Sequence, residues 1–199
     1  MRYLLRNLTF FIFFSIVFSG LIACTKTATN PETTSDNSAV KKGSSDFPAV
    51  SPEIMQAAMT TADGKDFKLE DYKGKVVLVN LWGIWCPPCR AEMPTLVTLQ
   101  NKYKEKGFEV IGLNVGDENA EKELPENIKS FGEKMKLNYT LAQSDYETFD
   151  NLLKLSGYGG VPQSFLIDRE GRLNGVFTGF GPATPAKLDE SVEKVLNAN

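Results

Sequence analysis

The chain contains no histidine. That absence removes the commonest general base, haem ligand and metal ligand together. Cysteine is nearly as scarce, with Cys24, Cys86 and Cys89 the whole supply among 199 residues. A structural disulfide framework needs more cysteines at wider spacing, and a closed zinc site needs four N, S or O ligands. Neither charge sign dominates: 22 basic and 25 acidic residues give a net charge of −3. Without a basic stripe, nucleic acid finds no electrostatic footprint. The methionines Met55, Met59, Met93 and Met135 form no cluster of the kind that holds copper, so they read as packing residues. The length suits one domain with leading segments, and no internal repeat is present.

What is present begins with Arg2 and Arg6, followed by an apolar run from Leu8 to Ile22. This is the layout of a secretory signal peptide, and the run is short for a membrane span. It closes in Leu21-Ile22-Ala23-Cys24, which resembles the lipobox of bacterial lipoproteins. That resemblance implies cleavage before Cys24, a lipid on Cys24, and a location outside the cytoplasm, on the periplasmic or cell-surface side of a membrane. An ordinary cleaved signal and an uncleaved anchor are the plainer alternatives. Residues 1–23 are thus expected to be a signal peptide. Residues 24–46, rich in Thr, Ser, Asn, Asp, Lys and Gly, are expected to be a flexible tether reaching roughly 25 Å. A single folded domain is expected over 47–199. Loss of Arg2 and Arg6 takes its charge to about −5.

Within that domain, Ala57 to Phe67 reads as a hairpin turning at Asp63-Gly64. Lys75 to Trp82 is a nearly continuous apolar run, β-branched at its start, as in a strand buried on both faces. A helix is expected from Pro87 to about Lys106, a parallel strand over Phe108–Val115, and a helical insert over Leu124–Met135. A short strand near Tyr139–Leu141 and a helix over Tyr146–Leu155 follow. Ser164–Asp168 and Leu173–Thr178 form an antiparallel hairpin turning at Glu170-Gly171, and a last helix covers Thr184–Leu196. The fold class is α/β, a mixed sheet flanked by helices.

With Cys24 assigned to a lipid, the domain holds only Cys86 and Cys89, in the run Trp85-Cys86-Pro87-Pro88-Cys89. Residues three apart on a first helical turn share one face, so the two sulfurs can join with little backbone movement. A cysteine at the helix start meets unpaired N–H groups and the positive end of the helix dipole, which favour its thiolate. Cys86 is therefore the expected attacking thiol, and Cys89, deeper in the helix, the resolving one. Pro87 falls at the first helical position, where its missing N–H costs little.

The stretch Val76 to Pro94, which includes Asn80-Leu81-Trp82-Gly83-Ile84-Trp85-Cys86-Pro87-Pro88-Cys89-Arg90-Ala91-Glu92, resembles the TlpA/ResA group of membrane-tethered thioredoxin-like proteins. The resemblance continues at Tyr158-Gly159-Gly160-Val161-Pro162-Gln163-Ser164-Phe165-Leu166-Ile167-Asp168 and spans most of residues 47–197. It implies a thioredoxin-like fold with a hairpin extension and a helical insert. It also implies a redox-active Cys86–Cys89 disulfide and a cis Val161-Pro162 bond against the dithiol. The implied activity is reduction of disulfides in exported proteins, apocytochrome c among them, with electrons from a membrane donor and no bound cofactor or metal. The group also gives Glu92 a role in handling protons at the dithiol. Asn80 stands where thioredoxins proper carry a buried Asp, which leaves water or Glu92 as the proton acceptor for Cys89. The plainer account of Glu92 is an acid favoured in a first helical turn. Trp85 either shapes the contact surface or packs structurally, Pro88 completes the dipeptide between the sulfurs, and Trp82 reads as core. Gln163 departs from the threonine usual after the cis-proline, which alters the groove expected there.

Two other functions compete. Gly64 to Lys75 also resembles the lead-in of peroxiredoxins, but those place a proline and a threonine or serine before the attacking cysteine, where this chain has Trp82-Gly83-Ile84-Trp85. A copper metallochaperone on the same fold would use soft thiolates, yet such relatives space their cysteines further apart and add a histidine.

Overall fold

The computed structural model describes residues 48–119 and 121–198. The expected signal peptide, the lipid site at Cys24 and the whole of the expected tether lie outside the described residues.

The elements follow in the order α1 (Pro52–Met55), β1 (Met59–Thr61), β2 (Asp66–Phe67), β3 (Val76–Trp82), α2 (Pro87–Tyr103), β4 (Phe108–Asn114), α3 (Pro125–Lys134), β5 (Thr140–Gln143), α4 (Tyr146–Ser156), β6 (Gln163–Ile167), β7 (Leu173–Thr178) and α5 (Thr184–Asn197), with 3-10 turns at Leu69–Tyr72 and Lys104–Lys106. The seven strands make one sheet in the order β2-β1-β5-β4-β3-β6-β7. Strand β3 pairs parallel with β4 and antiparallel with β6, so the sheet is mixed, as expected. The helix expected to reach Lys106 leaves α-geometry after Tyr103 and finishes as a 3-10 turn. Helix α1 and the Leu69–Tyr72 turn are additions, each too short to show a hydrophobic period.

All seven residues of β3 are buried, and their alternation divides the core in two. Val77, Val79 and Leu81 join Ile111, Leu113, Phe165 and Ile167 on one face, with Ile54 of α1 and Leu152 of α4 packed against them. Val76 and Leu78 face the other way, onto Leu96 and Leu99 of α2 and Leu188 and Val192 of α5. A third, smaller cluster gathers at the C-terminal end of β3: Trp82, Cys86, Cys89, Met93 and Ile128. Trp82 is core, as read from the sequence, stacked on Phe131 with ring centroids 5.3 Å apart. Met59 and Met93 are core too, at 0% and 1% exposure.

Gly112 on β4 makes room for that end of the core. A Cβ there would stand 2.9 Å from Trp82 Nε1, 3.1 Å from Leu141 Cδ2 and 3.2 Å from Tyr139 Cε2. Three large side chains cannot all retreat within a close-packed interior. Gly112→Ala is therefore expected to lose about 1–3 kcal/mol, the usual cost of overpacking. Urea denaturation, with Trp82 fluorescence as a local probe, checks this; unchanged stability and emission would show that the cluster yields freely.

Candidate active site

The parallel strands β3, β4 and β5 all end on one edge of the sheet, and β6 begins there. The chain leaves β3 at Trp82, turns through Gly83-Ile84-Trp85, and enters α2 with Cys86 as the N-cap residue in extended conformation. Two contacts fix this turn. Trp85 Nε1 donates to Gly116 O at 3.0 Å, and Arg90 Nη1 donates to Ile84 O at 2.7 Å. Glycine at position 83 lets the Trp85 ring lie over the turn, since a Cβ there would stand 2.6 Å from Trp85 Nε1 and displace the ring. The Trp85 ring is left 42% exposed beside the motif.

Cys86 and Cys89 are joined in a disulfide, with S–S 2.02 Å and Cα–Cα 5.3 Å. Both residues are buried, at 2% and 1% exposure, so Cys89 is scarcely the deeper of the pair in this oxidised state. Pro87 and Pro88 occupy the first two helical positions, where neither has an N–H to offer. The first amide in reach is that of Cys89, which donates to Cys86 Sγ at 3.2 Å. Far along the chain, the Val161-Pro162 peptide bond is cis, as the resemblance implied, and Val161 O lies 3.7 Å from Cys86 Sγ. The structure thus brings Trp85, Cys86, Pro87, Pro88, Cys89, Val161 and Pro162 together at one edge.

Behind the sulfurs lies a buried polar set. Asn80 follows Val76 and Leu78 on the face of β3 that looks onto α2, and there it meets Glu92. Asn80 Nδ2 donates to Glu92 Oε2 at 2.9 Å and to Ser164 Oγ at 3.0 Å. Ser164 stands directly opposite Asn80 in the β3–β6 ladder. Glu92 is 1% exposed and lies beyond the first turn of α2, which holds no acid. The first-turn account of this residue is therefore corrected: it is a buried carboxyl, remote from the unpaired N–H groups. Burial pushes its pKa up to about 7, against the Asn80 hydrogen bond, which pulls it down. Its charge also reaches Tyr139, whose phenol is raised well above its ordinary value, first by burial and then by Glu92.

Sequence reasoning did not find Ser164, Tyr139, Arg90 or Gly116 as parts of this site. Arg90 and Ser164 sat within the two stretches that carry the resemblance; Gly116 follows β4 and Tyr139 precedes β5, and neither carries a local signal. The Trp82–Trp85 turn holds none of the proline and hydroxyl residues of a peroxide site.

The chain matches the Redoxin family over residues 41–196. It is 32% identical to the thiol-disulfide oxidoreductase ResA of Geobacillus thermodenitrificans over 131 residues, 66% of this chain and 70% of that one. It is 33% identical to ResA of Bacillus anthracis over 146 residues, 73% of this chain and 78% of that one. Among solved structures it resembles a thiol:disulfide interchange protein of the thioredoxin family from Chlorobium tepidum, with a TM-score of 0.59 and 32% identity, over 70% of this chain and 92% of that one. The thioredoxin domain of a thiol-disulfide oxidoreductase from Bacteroides vulgatus gives a TM-score of 0.58 at 27% identity, over 78% of this chain and 99% of that one.

Proposed function

The chain belongs to the Redoxin family, in its ResA-like group of thiol–disulfide oxidoreductases, and from that premise we propose that it is a lipid-tethered, extracytoplasmic reductant of disulfides in exported proteins. In this reading the Cys86 thiolate attacks one sulfur of a client disulfide, and the other client sulfur leaves as a thiolate. Cys89 then gives up its proton and attacks Cys86 Sγ, releasing the second client thiol and closing the Cys86–Cys89 disulfide. The client gains two electrons and the dithiol loses two. A dithiol donor at the membrane restores them. Glu92, one turn beyond Cys89, serves as acceptor of the Cys89 proton. A lipid on Cys24 supports the tether, and apocytochrome c is one client class consistent with the ResA-like group.

One observation carries the direction of electron flow. Oxidising members of this chemistry owe their strength to a stabilised reduced form, in which amide donors hold the thiolate. Here Pro87 and Pro88 remove two such donors, and among the described residues only the Cys89 amide points at Cys86 Sγ. A poorly solvated thiolate gives up electrons readily, which favours a reductant.

The test is the reduction potential of the Cys86–Cys89 couple, measured by equilibration with a dithiol buffer. A value near thioredoxin's, about −270 mV, is expected; one at or above about −180 mV, in the range of oxidative isomerases, overturns the reductant reading.

A further inference from the structure

Two carbonyls of the loop that precedes the cis peptide bond converge on one buried carboxamide. Gln163 opens β6 and is fully buried, opposite Leu81 of β3 and Thr178 of β7. Its Nε2 donates to Tyr158 O at 2.9 Å and to Gly160 O. Its Oε1 is left without a partner among the described residues. The carboxamide is thus oriented by the two carbonyls alone, at the expense of its own acceptor. Ser156 ties the start of the same loop, where its Oγ accepts from Tyr158 N–H at 3.1 Å and donates to Leu153 O at 2.9 Å.

The segment between these ties lies outside any helix or strand and includes Gly159 and Gly160. Paired glycines give the backbone wide freedom, so the loop's shape depends on side chains that grip it. That shape matters because of what the loop presents. Val161 O lies 3.7 Å from Cys86 Sγ, and the Tyr158 ring is 44% exposed. Trp85, which immediately precedes Cys86, is exposed to nearly the same degree. Two partly exposed aromatic residues, one next to Cys86 in the chain and one three residues before the carbonyl that meets Cys86 Sγ, thus offer apolar bodies with polar tips.

We infer that Gln163 is a positioning residue for client binding: its carboxamide fixes residues 158–161 as the wall along which an extended, apolar-flanked segment of the client lies while its disulfide meets Cys86. The inference rests on the reading of the protein as a reductant of protein disulfides. The threonine that the ResA-like resemblance sets at this place has one hydroxyl donor on a shorter arm and cannot hold both carbonyls. Gln163 thus gives this chain a more firmly held wall.

The test uses the full chain, reduced, with insulin as a protein disulfide and hydroxyethyl disulfide as a small one that needs no wall. Gln163→Met keeps the length and loses both donors, and Gln163→Glu leaves at most one, the hydroxyl of a protonated carboxyl, which cannot hold both carbonyls. Each is expected to raise KM for insulin by about fivefold or more, with kcat and the rate on hydroxyethyl disulfide little changed. Tyr158→Ala, at an exposed ring, is expected to shift the insulin KM in the same direction, and it decides the matter if the Gln163 variants fail to fold. A wild-type protein that reduces neither substrate overturns the functional reading. A wild type that reduces insulin, with variants that keep its KM, overturns the role of Gln163 alone.

Discussion

With Cys89 replaced by serine, turnover on a protein disulfide is expected to fall by at least roughly a thousandfold, and the protein to accumulate as a covalent adduct with its client through Cys86. The size follows from geometry. Cys89 sits one helical turn from Cys86, with its own amide 3.2 Å from Cys86 Sγ, so its attack on a mixed disulfide is intramolecular and oriented. Any thiol in solution at millimolar concentration must replace a partner of far greater effective concentration. The substitution changes one sulfur to oxygen inside the cluster of Trp82, Met93 and Ile128, and that packing has no other reason to fail. Mass spectrometry of trapped adducts checks the outcome. They must disappear when Cys86 is also replaced; adducts that persist, or that map to Cys24, would falsify the assignment of Cys86 as the attacking thiol.

The parts of this site that are legible in the sequence are those written into contiguous residues. Strand β3 announces itself by six apolar residues among its seven, interrupted only by Asn80, and Cys86-Pro87-Pro88-Cys89 by its spacing at a helix start. The hairpins are equally plain, because Asp63-Gly64 and Glu170-Gly171 mark their turns. Helix α1 was not legible, since four residues do not complete a hydrophobic period.

What remained hidden depends on register between distant strands. Asn80 meets Ser164 across 84 residues of chain, and nothing near either residue specifies that pairing. The departure at Gln163 was visible as an odd residue beside Pro162, but its grip on two carbonyls needed the path of the loop from α4. Glu92 shows the same limit from another side. Its place in the second turn can be counted from the sequence, but its burial cannot, because that depends on α2 lying against the Asn80 face of β3.

That burial makes pH the sharpest probe of Glu92. The carboxyl titrates at about 7 in the folded protein, against an ordinary value of 4.5. Folding thus binds this proton more tightly than the unfolded chain does. The stability linked to it is fully present below about pH 4.5, declines as pH rises, and is lost above about 7. The span corresponds to about 3 kcal/mol. In Glu92→Gln this dependence is expected to vanish, so the variant gains on the wild type between pH 5 and 8, as read by urea denaturation at a series of pH values. The buried amide of the new side chain brings two donors to satisfy, which imposes a constant offset. The slope, not the level, is therefore the signature. Activity should move the opposite way. Without a carboxylate to take the Cys89 proton, reduction of insulin above pH 7 is expected to slow by about a hundredfold, and the inflection of the rate near 7 to disappear. If the pH slope of stability is lost while the rate profile is unchanged, Glu92 is a buried acid of the core with no part in the proton transfer. If both change together, one carboxyl accounts for the two effects, since the burial that weakens the fold at high pH also brings its proton affinity into the range where it can exchange with a thiol.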